Sequence, residues 1–221
     1  MNGTKAGELS LGAQLLLELR EDIIGGRLLP GTALVEADLV KAYNASRNTI
    51  REALHQLDRE GLASYVRHKG VMVRRLGLAE ARDLFLVRRT LELQAIRNSR
   101  PLREYQSDRM LDALEAAELA QSREDWRACG THSLHFHQHI VGLLRSPLLD
   151  EFFANVAAQM RLLFSIAPDE EHFQRPWMDR DREIHELLSA GRPHEAAEAM
   201  ASYLDDSENR LLDLLSSAKP L

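Results

Sequence analysis

The sequence predicts a mainly α protein in two parts: a small N-terminal unit of three helices and a basic β-hairpin, then a longer all-helical bundle. Three observations predict it. Apolar residues recur at helical spacing along most of the chain, with Gly and Pro marking the stops. Only one stretch, Leu62-Ala63-Ser64-Tyr65-Val66 and Val71-Met72-Val73 around Arg67-His68-Lys69-Gly70, reads as paired strands. The charge divides as well: residues 1–77 carry 11 Lys/Arg against 9 Asp/Glu, and residues 78–221 carry 17 against 25.

The elements come in order. Residues 1–8 are polar and are expected to be disordered. Leu15 to Ile24 has helical periodicity and stops at Gly25-Gly26. Leu34, Leu39 and Val40 mark a short helix over Glu36–Tyr43, and Asn44-Ala45 is a tight turn, Asn being tolerant of left-handed backbone. Ser46 then caps a third helix. Ile50, Ala53, Leu54 and Leu57 hold its inner face, and Arg47, Asn48, Thr49 and Arg51 face solvent. Gly61 ends it, and the hairpin comes next.

A helix with two Arg on its wet face is more often only a solvated surface. The flanks decide otherwise here. Arg and Asn can pair with base edges in the major groove, and Ser and Thr can reach phosphate. Arg67, Lys69, Arg74 and Arg75 form a basic stretch without an acid, which counterion release from DNA requires. Three helices and a basic hairpin describe a winged helix-turn-helix over residues 9–75, with residues 76–78 as linker.

Residues 79–221 are predicted as an all-α antiparallel helical bundle. Helices are expected at about 79–99, 105–121, 123–145, 147–167, 176–190 and 193–216, broken at Pro101, Ser122, Pro147, Pro168, Pro176 and Gly191-Arg192-Pro193. No apolar run is long enough to span a membrane, and no signal peptide opens the chain. The single cysteine, Cys129, excludes an internal disulfide and fits a reducing cytoplasm, where it reads as a small helical residue.

Gly26-Arg27-Leu28-Leu29-Pro30-Gly31-Thr32-Ala33-Leu34-Val35-Glu36, Asp38-Leu39, Ser46 to Leu54, Leu57 and Glu60-Gly61-Leu62 resemble the N-terminal domain of GntR-type bacterial transcription regulators, in one register over about sixty residues. The resemblance implies operator contacts by Arg47, Asn48, Thr49 and Arg51, and by the wing tip, and the Ser46 hydroxyl at the cap adds a phosphate contact. At the tip Lys69-Gly70 replaces the usual Arg-Gly, so the cation is kept and a bidentate Arg fork is lost. Arg88-x-x-x-Glu92, Phe136-His137, and Ile184 to Gly191 with the Ala196–Ala199 helix resemble the helical FCD effector domain of the FadR branch. That resemblance implies modulation by an organic acid or acyl derivative; because one winged helix contacts few bases, a homodimer on palindromic operator DNA is expected, in the cytoplasm.

In metal-binding FCD members an Asp, a His one turn later and two further His hold one divalent ion. On this chain those positions fall on Ser133, His137, Asp181 and Tyr203, unless a shifted register brings in His172 or His185. One His and one carboxylate are too few for a stable site, so the family metal is expected to be absent. His132, His135 and His139 share the wet face of their helix. A His135/His139 pair is a surface metal candidate, with a merely polar face the commoner meaning. Helical geometry turns His137 and Ser133 inward.

Arg88 shares the apolar face of its helix with Leu84, Leu91 and Ala95, so it needs a partner. Glu92 at i+4 offers a structural ion pair. Alternatively Arg88 clamps a carboxylate effector, with Ser133, His137, Asp181, Tyr203 and Arg161 lining a polar pocket. Phe152, Phe153, Met160, Phe164, Phe173 and Trp177 read as core or interface. No nucleophile motif, metalloprotease motif or phosphate loop is present. Two rivals remain: an unresponsive, vestigial helical domain, and a helical metal-dependent enzyme fused to a DNA-binding module.

Overall fold

The computed structural model describes residues 10–217; the predicted disorder of residues 1–8 lies outside them. The chain divides into two compact units, with the boundary between Arg75 and Leu76.

In the first unit, α1 (Leu11–Ile24) begins four residues before the predicted Leu15, because Ser10 caps it, its Oγ accepting from the Ala13 N–H. Leu15, Leu19 and Ile23 bury one stripe of α1 against α3. α2 (Glu36–Tyr43) ends where Asn44 turns left-handed at φ 48°. α3 (Arg47–Arg59) buries Ile50, Ala53, Leu54 and Leu57. β1 (Ala63–Val66) and β2 (Gly70–Val73) pair antiparallel, from Ala63↔Val73 to Val66↔Gly70. The tip needs two left-handed residues, His68 and Gly70, and glycine meets the second without strain.

The second unit comprises α4 (Leu78–Arg97), α5 (Glu104–Ser122), α6 (Trp126–Val141), a single 3-10 turn at Gly142–Leu144, α7 (Pro147–Phe164), α8 (Glu170–Ser189) and α9 (Pro193–Ser217). α6 packs on α4, α5, α7 and α8 and so runs through the middle of the bundle. This is why its inward polar residues are sealed.

Two helix starts in the second unit differ from expectation, each for a local reason. α6 starts at Trp126 rather than near 123: Asp125 caps it, accepting from the Ala128 N–H, and Glu124 takes φ 58°. Pro176, read as a break, sits inside α8. A proline has no N–H to give the His172 carbonyl four residues back. That carbonyl instead accepts from Arg210 Nη2 of α9 at 2.6 Å. Asp169 caps the real start of α8 through the His172 N–H.

Candidate functional site: a DNA-reading helix and a buried ionic column

Two separate regions bear on function, one in each unit. In the first, Ser46 Oγ accepts from the Thr49 N–H at 3.1 Å and lies 2.8 Å from Thr49 Oγ1, so these hydroxyls serve the cap first. Arg47 is exposed at the first turn of α3, where the helix dipole adds positive potential. Asn48 donates to Glu52 at 3.3 Å. Arg51 Nε donates to both oxygens of Glu36, at 3.0 and 2.9 Å, and this hydrogen bond raises its already high pKa further. Lys69 and Gly70 occupy the hairpin tip, as expected.

The second unit holds an ionic column sealed from solvent. Arg88, Glu92, His137 and Asp181 are each at most 1% exposed, with Ser133 and Tyr203 nearly as buried. Arg88 Nε donates to Glu92 Oε1 at 2.8 Å, and Glu92 Oε2 takes His137 Nδ1 at 2.6 Å. Ser133 Oγ donates to Asp181 Oδ2 at 2.6 Å. His137 Nε2 stands 3.4 Å from Asp181 Oδ1, an ion-pair distance in a geometry that falls short of a hydrogen bond. Tyr203 lies against the His137 and Trp177 rings.

Burial alone would depress the His137 pKa. The Glu92 carboxylate, with Asp181, outweighs burial and holds it above its ordinary 6.5. Burial would likewise raise Glu92, and the Arg88 and His137 cations instead hold it below 4.5. Burial pushes the Tyr203 hydroxyl upward, and Asp181 adds to this. Arg88 therefore already has the structural partner Glu92, which argues against the clamp reading of its Nε face; Arg88 Nη2 makes no hydrogen bond.

Arg161 is different. It is 2% exposed, and Nε, Nη1 and Nη2 all lack hydrogen-bond partners. Burial pushes its pKa down to about 10, which Glu170 partly offsets. The nearest carboxylate oxygen, Glu170 Oε2, is 3.9 Å away, while Arg127 holds Glu170 Oε1 at 2.7 Å. Gln174 Nε2 is also unpartnered. A Cβ on Gly130 would sit 2.6 Å from Gln174 Nε2 and 2.9 Å from Arg161 Nη1, so only glycine leaves room for these head groups. Gly130 and Gln174 are not legible as site residues in the sequence. The one available signal is spacing: each lies seven residues before an inward polar residue, His137 and Asp181.

The family metal does not fit these residues. Ser133 is spent on Asp181, His137 Nδ1 on Glu92, and Tyr203 keeps its proton, which leaves one imidazole nitrogen and one carboxylate oxygen. His185 contacts Ser107 at 3.1 Å instead, and His172 is exposed. Among the described residues no group of three or more His, Cys, Asp or Glu could hold a metal, and this covers His132, His135 and His139. Cys129 is fully buried, and burial raises its thiol to about 11. Phe152, read as core or interface, is 48% exposed, while Phe153, Met160, Phe164, Phe173 and Trp177 are core.

Two family models match the chain: "Bacterial regulatory proteins, gntR family" over residues 11–73, and the FCD domain over residues 83–206. The chain belongs to the GntR family. As a GntR-family chain with an FCD domain it is a DNA-binding transcription regulator, mainly α in fold. It is similar to a GntR-type regulator structure from Rhodococcus sp. RHA1, at 32% identity and TM-score 0.88, covering 93% of this chain and 99% of that one. It is also 29% identical over 170 residues to the HTH-type transcriptional regulator BphR of Paraburkholderia xenovorans. That match covers 77% of this chain but only 53% of BphR. The galactonate operon transcriptional repressor of Escherichia coli is 22% identical over 194 residues, covering 79% of this chain and 81% of that repressor. Among the described residues no helix is long and apolar enough to cross a membrane.

Proposed function

We propose that this GntR-family regulator is a cytoplasmic homodimer whose winged helices bind a palindromic operator and whose helical domain lowers or raises operator affinity when it binds a small anionic metabolite. It performs no catalysis. Operator contacts fall to Ser46, Arg47, Asn48, Thr49, Arg51, Lys69 and Gly70. Effector contacts fall within the set Arg88, Ser133, His137, Arg161, Asp181 and Tyr203, without a metal.

The observation that carries the effector reading is Arg161, a buried guanidinium that makes no hydrogen bond and has only the loose ion pair to Glu170 Oε2 at 3.9 Å. A desolvated cation with unsatisfied donors is costly, and proteins keep such groups where a ligand completes them. The galactonate operon repressor, by its name, controls genes for a sugar acid, and similarity to it favours an organic acid here. Dimerisation is favoured by two-fold half-site geometry and by Leu148 and Phe152, one turn apart on α7 and both exposed.

The test is stoichiometry. Operator fragments selected from random duplex should carry an inverted repeat. Light scattering of the complex should give two chains per duplex. A monomer bound to an asymmetric half-site overturns the dimer reading.

A further inference from the structure

Resting on the reading of Arg51 as an operator contact, we infer that Glu36, at the start of α2, is the positioning residue behind operator specificity: it grips Arg51 across the helix-turn-helix, leaves one edge of the guanidinium for the bases, and holds the cation off the phosphate backbone. Glu36 acts through Arg51 and needs no DNA contact of its own.

The grip is built by the fold rather than by one helix. Glu36 and Arg51 are 15 residues apart. They lie on different helices, α2 and α3, which follow one another through the left-handed turn at Asn44. Glu36 opens α2, whose N-cap, Val35, offers no capping side chain. A carboxylate there suits the α2 dipole. Both its oxygens nevertheless accept from Arg51 Nε, at 3.0 and 2.9 Å. Neither bond uses Nη1 or Nη2. That outer edge carries two parallel donors, the pattern that guanine O6 and N7 accept in the major groove. The Arg51 side chain is 59% exposed and that of Glu36 38%, so the pair stands at the surface that α3 presents.

Stability alone gives little reason for this pair, because water screens an exposed ion pair. Its charge is unfavourable at this place. A carboxylate on a surface that meets a polyanion repels the phosphates that the neighbouring cations attract. The pair therefore lowers affinity for DNA of any sequence. Its benefit is order. A free arginine samples many rotamers, and any phosphate within reach satisfies it. Held by Nε, it keeps one donor edge, and that edge is satisfied only by the right base. Asn48 is arranged alike within α3, its Nδ2 donating to Glu52 Oε1 at 3.3 Å. Arg51 also lines a cleft with Asp58 of α3 and Tyr65 of the wing. Loss of Glu36 frees the guanidinium to turn into that cleft as well as toward phosphate.

Full-length wild type, Glu36→Ala, Glu36→Gln, Arg51→Ala and the Glu36→Ala/Arg51→Ala double variant are titrated with the selected operator and with a scrambled duplex, over a range of salt. Each is also melted. Glu36→Ala should bind the scrambled duplex more tightly and steepen its salt slope by about one, because the freed Arg51 neutralises one more phosphate. Its operator-to-scrambled affinity ratio should fall at least about fivefold, much of what one aimed arginine contributes. Glu36→Gln keeps one acceptor oxygen and should fall between. In the Arg51→Ala background, adding Glu36→Ala should leave the ratio where Arg51→Ala put it. Melting temperatures of the Glu36 variants should stay within about 4 °C of wild type. A Glu36→Ala ratio at or above wild type, a further fall in the Arg51→Ala background, or a larger drop in melting temperature overturns the role of Glu36. Operator affinity unchanged in Arg51→Ala is a different failure, which removes Arg51 itself from the operator contacts.

Discussion

His137 has Glu92 on one ring nitrogen and Asp181 near the other, so its protonation reports on the column directly. Its folded pKa lies above 6.5, so its contribution to stability is fully present below 6.5 and is lost as pH rises through the folded value. Glu92, held below 4.5, contributes above 4.5 and loses that contribution as pH falls through its lowered value. His132, His139 and His185 shift the opposite way to His137, chiefly through burial, so the wild-type curve alone mixes signs. The difference between wild type and His137→Gln isolates the residue. Thermal melts should show that difference largest between pH 4.5 and 6.5 and shrinking as pH rises further. A difference that grows with rising pH would mean that His137 is buried neutral.

At this scale the sequence is informative about direction and silent about pairing. The face on which Arg88, Ser133 and His137 lie comes from 3.6-residue periodicity, and all three are buried. Which carboxylate each one meets depends on how four helices dock, and no single helix encodes that. Glu92 is legible as a partner for Arg88 because it lies at i+4, within one helix. Its second bond, to His137 on α6, is not. Arg161 looks weak in the sequence because an arginine on a helix is ordinarily solvated; its burial without a hydrogen bond is what sets it apart.

Among the elements, α8 shows where a local rule yields to tertiary structure. Proline predicts a break because it removes one backbone bond and crowds the previous turn. Here Asp169 fixes the start of the helix, and Arg210 supplies the donor that Pro176 lacks. Arg210→Ala should therefore cost up to about 1 kcal/mol, the worth of one hydrogen bond. The loss should concentrate in the first turns of α8, seen as faster amide exchange over residues 170–176 than in the rest of the helix. Uniform exchange along α8 in that variant would show that Arg210 is not the substitute donor. α3 is the opposite case. Its cap, its inner stripe and its exposed cations are all readable, because each depends on residues within a few positions of one another.

For the whole molecule, a net charge of −6 conceals the arrangement that matters. The N-terminal unit carries the local excess of cations, and the acids lie mostly in the helical unit. Operator affinity should consequently depend steeply on salt despite the acidic chain. Two kinds of contact separate within that dependence. Arg47 is exposed at the start of α3 and Lys69 lies at the wing tip, and the proposed function has the first read a base edge and the second meet phosphate.

The most direct measurement is operator affinity against salt concentration for wild type, Arg47→Ala and Lys69→Ala, on the selected operator and on a scrambled duplex. Arg47→Ala should lose about ten- to a hundredfold on the operator and little on the scrambled duplex, relaxing specificity. Lys69→Ala should weaken both duplexes alike and lower the salt slope by about one. Operator affinity and salt slope unchanged in both variants would contradict the assignment of α3 and the wing as the DNA-reading surface of this regulator.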